Sequence, residues 1–223
     1  MADFVNFAAN IANWVRLAPF PSIIWIALNF LAHLFLSGTN REVIFGNLIG
    51  DFVKGNSFRN LYPKDVVDGI CLHRSIDFFT DTHPVNEAVR KRMHGHFGKY
   101  SGIVLDVFYD HLLAGSWSLW HDDGLDEFIA SRLQQMSDFD FLYPNGFEPL
   151  LKSMKRHNWL ANYKTPEGMH VTFQRMSNRL QRPEISDAWD IMSLHHEHYL
   201  EAFQQFFPEL INHASHFLQD EKN

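Results

Sequence analysis

The sequence predicts an all-α fold, a single helical bundle domain, and three observations carry that expectation. Apolar residues recur at helical spacing along most of the chain. The breaks between those segments hold helix punctuation, with Pro63 and Pro84 placed to open helices and Gly38 and Gly55 placed to close them. Few segments alternate with period two, so strands have little support. The chain has 223 residues, 46% of them hydrophobic and 21 of them Phe, which suffices for one well-filled core and excludes a disordered chain.

The elements follow in order. Residues 3–18 place Phe4, Phe7, Ile11, Trp14 and Val15 on one face, the stripe of an amphipathic helix. A second helix is expected from about Ser22 to Ser37, stopping at Gly38. The run from Leu17 to Leu36 is nearly all apolar and long enough to span a bilayer. Pro19 and Pro21 interrupt its first turns, however, Asn29 and His33 sit inside it, and no small-residue cleavage site follows. A buried helix, without stable membrane insertion, is the expectation. Asn40 can cap a third helix, closed by Gly55 after Lys54. Pro63 opens a fourth, running to about Asp81, and Pro84 a fifth, ending near Gly95–Gly98. Further helices are expected at 101–118, 124–137, 147–160, 166–181 and 185–218. No repeat, low-complexity tract or linker divides the chain.

The formal charge of −7 argues against a nucleic-acid binder, which is normally basic. Charge is nevertheless clustered. Lys152, Lys155, Arg156, Lys164, Arg175, Arg179 and Arg182 are opposed only by Glu167 within their stretch, and Arg90, Lys91, Arg92, His94, His96 and Lys99 form a second group. Each group reads either as a solvated helix face or as a docking surface for an acidic partner. The single cysteine, Cys71, has apolar neighbours; it excludes an internal disulfide and suits a reducing compartment.

Histidine is abundant, at 14 residues. Four segments combine it with carboxylates at helical spacing. His33 lies in a strongly apolar helix and needs a polar partner, because an unpaired buried polar group costs roughly 1–3 kcal/mol. Asp51 is flanked by apolar residues, where a carboxylate is rarely buried without a cation. His73 and Asp77 are four apart, on one helix face, and could bind one ion together, with Asp81 a turn further along. Asp106 and Asp110 also share a face; among apolar neighbours their repulsion requires a metal ion or a paired arginine between them. The alternative for each is a satisfied core histidine or a surface His–Asp pair. Together the four segments could converge on one mixed nitrogen–oxygen site, a donor set that suits Mn²⁺, Fe or Mg²⁺ better than structural zinc. His195-His196-Glu197-His198 reads as a polar helix face. No Walker loop, dinucleotide fingerprint or nucleophile elbow is present.

Taken in order, Asn29-Phe-Leu-Ala-His33-Leu, Gly46-Asn47-Leu48 through Asp51-Phe-Val-Lys54-Gly-Asn56, His73-Arg74-x-x-Asp77 and Leu105-Asp106-x-x-x-Asp110-His111 resemble the acyl carrier protein phosphodiesterase family, itself similar to the HD-domain metal-dependent phosphohydrolases. Trp117, Arg175-Met-Ser, Trp189 and Phe203-x-x-Phe206-Phe207-Pro208 extend the likeness, which covers roughly residues 28–216. The resemblance implies an HD-like helical architecture and hydrolysis of holo-acyl carrier protein to the apo form and 4′-phosphopantetheine. It also implies a divalent metal, Mn²⁺ or Mg²⁺, a bacterial cytoplasm, and an acidic carrier protein as substrate. On it, His33, Asp51, His73 and Asp110, with His111 beside them, are the expected metal positions. Asp77 and Asp106 are expected to orient ligands or act as general base, and Arg74 and Lys54 to contact the phosphate. The His-Asp doublet of HD proteins is reversed here, as Asp110-His111. Residues 1–27 lie outside the likeness and Leu28 stands where the family starts with Met, so a start-site artefact or an added helix precedes a domain expected at 28–218. Two other readings remain at this level: an HD-like phosphohydrolase of nucleotides or small phosphate esters, and a non-catalytic helical binding protein.

Overall fold

The computed structural model describes residues 29–136, 139, 141 and 143–220. The expected helix at 3–18, the first part of that at 22–37 and the whole 1–27 segment lie outside the described residues. Among the described residues every regular element is helical: α1 Phe30–Leu36, α2 Arg41–Ile49, α3 Lys64–Thr82, α4 Pro84–Phe97, α5 Ser101–Gly115, α6 Leu125–Gln135, α7 Phe147–His157, α8 Pro166–Leu180, α9 Ala188–Ser193 and α10 His196–Asp220. No helix among them is long and apolar enough to cross a membrane.

The punctuation works locally as expected. The Asn40 side chain accepts hydrogen bonds from the N–H groups of Glu42 and Val43, capping α2. Thr165 caps α8, with Pro166 in its first turn. Gly98, at φ 52°, closes α4 in the left-handed region. Two expectations change. The helix expected to reach Gly55 stops at Ile49; Gly50–Phe52 tightens into a 3₁₀ turn, which puts Asp51 at the end of α2 and Lys54 in an exposed loop. The helix expected over 185–218 is broken into a 3₁₀ turn at Pro183–Ile185, α9 and α10, because His195 and His198 donate to the carbonyls three residues back, Met192 and His195.

The core is built around α2, whose residues Val43 through Ile49 are all buried. Its broadest contact is with α3. There Gly46 faces Gly69: a Cβ on Gly46 would lie 2.2 Å from the Val66 carbonyl oxygen, and one on Gly69 2.2 Å from that of Val43. Mid-helix glycine costs about 1 kcal/mol relative to alanine, so both are explained by the close approach of two backbones. Helix α5 is apolar and almost wholly buried, from Val104 to Ala114. Helix α10 lays Tyr199, Ala202, Phe203, Phe206, Phe207, Leu210 and Ala214 across α3, α4, α5 and α1. Helix α1 has only seven residues, too few to persist alone. It is held at its start by the Asp110 carboxylate of α5, whose two oxygens accept the N–H groups of Leu31 (3.0 Å) and Ala32 (2.9 Å).

Gly46→Ala forces α2 from α3 and should cost about 2–3 kcal/mol, seen as a fall of roughly 5–10 °C in the melting temperature. An alanine at the open position Gly115, where a Cβ meets nothing within 4 Å, should leave the melting temperature unchanged or raised.

Candidate metal centre

Three elements bring polar side chains to one point. Helix α1 contributes His33, 1% exposed; α3 contributes His73, 3% exposed, and Asp77; the 3₁₀ turn after α2 contributes Asp51. His33 Nε2 lies 3.3 Å from Asp77 Oδ1, and His73 Nε2 lies 3.1 Å from Asp77 Oδ2 and 3.3 Å from Asp51 Oδ1. The two imidazoles stack with centroids 4.2 Å apart. One donor atom each from His33, His73 and Asp77 falls within 4.8 Å of the others, a spacing that one cation can bridge.

The tautomer of His33 follows from its surroundings. Asn47 is fully buried and its amide nitrogen donates to the His33 carbonyl (3.1 Å) and Ser37 Oγ (2.8 Å). Its oxygen must therefore face His33 Nδ1, 2.7 Å away, which donates to it. That leaves Nε2 as the ring nitrogen turned toward Asp77, the arrangement of a ligating histidine oriented from behind. Gly50 makes room for the other ring: a Cβ there would sit 2.2 Å from His73 Cγ. Neither Asn47 nor Gly50 stands out by composition; the signal for Gly50 is a glycine in a helical pattern beside a carboxylate.

The chemistry of the site favours a cation. His33 Nε2, His73 Nε2 and Asp51 Oδ2 are buried and form no well-directed hydrogen bond, although carboxylate oxygens lie close by. Buried polar atoms are rarely left this way; His33 Nε2 and His73 Nε2 both face the Asp77 carboxylate, and Asp51 meets His73 Nε2 through its other oxygen. Burial opposes a charge on His73, yet the Asp51 and Asp77 carboxylates close to its Nε2 outweigh it and push its pKa up to about 10. Burial likewise opposes ionisation of Asp77, and His33 and His73 overcome it, holding that carboxyl well below its usual range. A positive charge is thus strongly favoured between these groups. Two imidazoles and two carboxylates suit a first-row divalent ion.

The other expected site residues are placed differently. Asp110 caps α1 and His111 donates from Nδ1 to the Tyr163 carbonyl at 2.7 Å, packed against Trp189; neither is in the converging group, which holds Asp77 instead. The cause is directional, because the α5 face bearing Asp110 looks at the start of α1 and its neighbour His111 looks at the 161–164 turn. Asp106 lines a cavity of about 20 Å³, room for one water, with Asp110, Thr80 and Tyr109. Burial and the charges of Asp77 and Asp81 push its pKa up to about 8. Arg74 donates to the carbonyls of Val53 (3.1 Å) and Gly55 (2.7 Å) and to Asn56 Oδ1 (3.3 Å), and lies over the Phe58 ring. It braces the loop that follows Asp51. Lys54, in that loop, is exposed.

The acyl carrier protein phosphodiesterase family model matches residues 28–210. The acyl carrier protein phosphodiesterase of Escherichia coli O139:H28 (strain E24377A / ETEC) is 33% identical over 191 residues, covering 85% of this chain and 98% of that protein. That of Shigella boydii serotype 18 (strain CDC 3083-94 / BS512) is 34% identical over the same length and coverage. No solved structure matches.

A metal ion needs neutral imidazole, so Mn²⁺ must displace the proton that His73 holds up to about pH 10. Binding should release about one proton per ion, and affinity should rise about tenfold per pH unit between neutrality and pH 10. Titration in weak buffer checks this; binding without proton release rejects His73 as a ligand. In the metal-free protein the sign is opposite: the His73 ion pairs stabilise fully below its ordinary 6.5, and that stabilisation is lost as pH rises through about 10. Asn47→Ala, which leaves His33 Nδ1 unpaired, should weaken Mn²⁺ binding about 10- to 100-fold, read by electron paramagnetic resonance of the free ion.

Proposed function

The chain belongs to the acyl carrier protein phosphodiesterase family, and from that premise we propose that it hydrolyses holo-acyl carrier protein at a centre where His33, Asp51, His73 and Asp77 hold a divalent ion, Mn²⁺ or Mg²⁺. The observation carrying the site is the pair of buried, unbonded nitrogens His33 Nε2 and His73 Nε2 facing Asp77, with Asp51 beside His73. Water adds to phosphorus, the bond from phosphorus to the serine oxygen breaks, and the products are apo-carrier and 4′-phosphopantetheine. Such an ion, when bound, lowers the pKa of water and neutralises a phosphoryl oxygen.

The remaining steps fall to this chain's own side chains. Asn47 holds His33 in the ligating tautomer, and Arg74 holds the Val53–Asn56 loop and so the position of Asp51. Lys54, exposed on that loop, is placed to meet an anionic substrate from solvent. Asp106, whose pKa burial pushes up to about 8, lines the neighbouring small cavity with Asp110 and supports the site from behind the converging side chains. Asp110 and His111 serve the site indirectly, one by seating α1 and the other by tying α5 to the 161–164 turn. A protein substrate and reducing-compartment cysteine usage fit a cytoplasmic enzyme.

Incubation with holo-acyl carrier protein and Mn²⁺ should remove the mass of 4′-phosphopantetheine from the carrier, read by intact-protein mass spectrometry. Chelation should abolish the loss, and Asp77→Ala should lower kcat by at least 100-fold while leaving far-ultraviolet helicity intact. A carrier of unchanged mass with both Mn²⁺ and Mg²⁺ present would refute the reading.

A further inference from the structure

The mouth of the metal centre is acidic. Asp51, Asp77 and Asp81 have side chains 25%, 41% and 76% exposed, on a chain of net charge −7. An anionic diester carried on a protein therefore approaches against repulsion unless positive charge lies beside its path. Beyond Lys54 on the Asp51 loop, the described residues gather such charge on the α4 side of the site. Arg90 on α4 donates to the carbonyls of Thr80 and Asp81, three and four residues beyond Asp77 on α3, and its guanidinium lies 3.7 Å from the Asp81 carboxylate. From Arg90 a surface cavity of about 460 Å³ opens between α4 and the start of α5, lined by Lys91, His94, Lys99, Ser101 and Glu87. The first turn of α5 holds no acidic residue, so its N-terminal dipole adds to the positive side.

The fold then joins to this rim a residue 82 positions away. Arg182 donates to the Tyr100 hydroxyl at 3.3 Å and its guanidinium lies 5.4 Å from the Tyr100 ring centroid; Lys99 lies over the same ring at 5.2 Å. The negative groups facing the rim are Glu87, paired with Lys91 at 2.7 Å, Asp81, and Glu184 near Arg182. The larger basic stretch of the sequence does not stay together. Arg182 leaves it for Tyr100, Arg175 and Arg179 are partly desolvated against the protein, and Lys152 on α7 is paired with Glu148.

We propose that Arg90, Lys91, His94, Lys99 and Arg182 form the docking surface for an acidic face of the protein substrate, leading its phosphodiester to Asp77. The assignment rests on the phosphodiesterase reading above. Charge complementarity names the partner's chemistry, and the Arg90 tie to Thr80 and Asp81 makes the surface continuous with the metal centre.

The test compares wild type with Lys91→Glu/Lys99→Glu/Arg182→Glu and, as a control, Lys152→Glu/Lys155→Glu/Arg156→Glu. Arg90 is left in place because it fastens α4 to α3. At low salt the first variant should lose on the order of tenfold or more in kcat/KM for holo-acyl carrier protein, with the difference shrinking in 0.5 M NaCl as screening removes steering. Its hydrolysis of methyl p-nitrophenyl phosphate, its Mn²⁺ affinity and its circular dichroism should match wild type. Unchanged kcat/KM, or a loss found in the control variant instead, overturns the docking surface while hydrolysis by wild type still stands. Fluorescence-anisotropy binding separates the two claims: wild type that binds holo-carrier through this rim yet removes nothing from it sinks the activity and keeps the surface.

Discussion

The approach of α2 to α3 through Gly46 and Gly69 sets the spacing from which the metal centre follows. With a Cβ at either position the backbones would have to separate, since the nearest obstacle is a carbonyl oxygen 2.2 Å away rather than a flexible side chain. One turn beyond Gly46, Gly50 lets the His73 ring lie directly against the end of α2. The helix then tightens into a 3₁₀ turn, and Asp51 arrives 3.3 Å from His73 Nε2. Three absent side chains therefore fix the geometry of the two elements that supply most of the donors.

The third element, α1, depends on a longer connection. A seven-residue helix has too little internal hydrogen bonding to define its own position. Asp110, 79 residues away from Leu31, supplies the missing cap, while Asn47 on α2 grips His33 from the other end through three hydrogen bonds with Ser37 and His33. Buried polar groups used this way are costly unless every atom is matched. At Asn47 and Asp110 the matching is good. Around Asp77 it is not, and the contrast separates the polar core that seats α1 from the candidate cation site.

The electrostatics divide along the same line. Burial alone would keep His73 neutral and Asp77 protonated, but proximity reverses both. The site is thus already arranged to stabilise positive charge, in a protein whose total charge is negative. Asp106 shows the opposite outcome: burial raises its pKa, and the charges of Asp77 and Asp81 add to that rise more than Arg90 offsets it. Asp77 and Asp106 thus shift in opposite directions according to what each one faces.

The one-dimensional pattern was enough for the fold class, for most helix starts and stops, and for the identity of the chemistry-bearing segments, because capping, proline geometry and the His73–Asp77 spacing are local. It also carried the family motifs and, through them, His33, Asp51 and His73 as expected ligands. It could not decide between Asp77 and Asp110. Both are helical carboxylates with an apolar setting and a partner four residues away, and only the packing of α5 against the start of α1 turns Asp110 into a cap. Nor could it show that α2 ends at Ile49, that Asn47 orients His33, or that Arg182 leaves its own basic stretch to join Lys99 at Tyr100. Those outcomes are set by which helix faces meet, and the facing of helices is decided by contacts between residues far apart in the chain, such as Gly46 with Gly69 and Leu31 with Asp110.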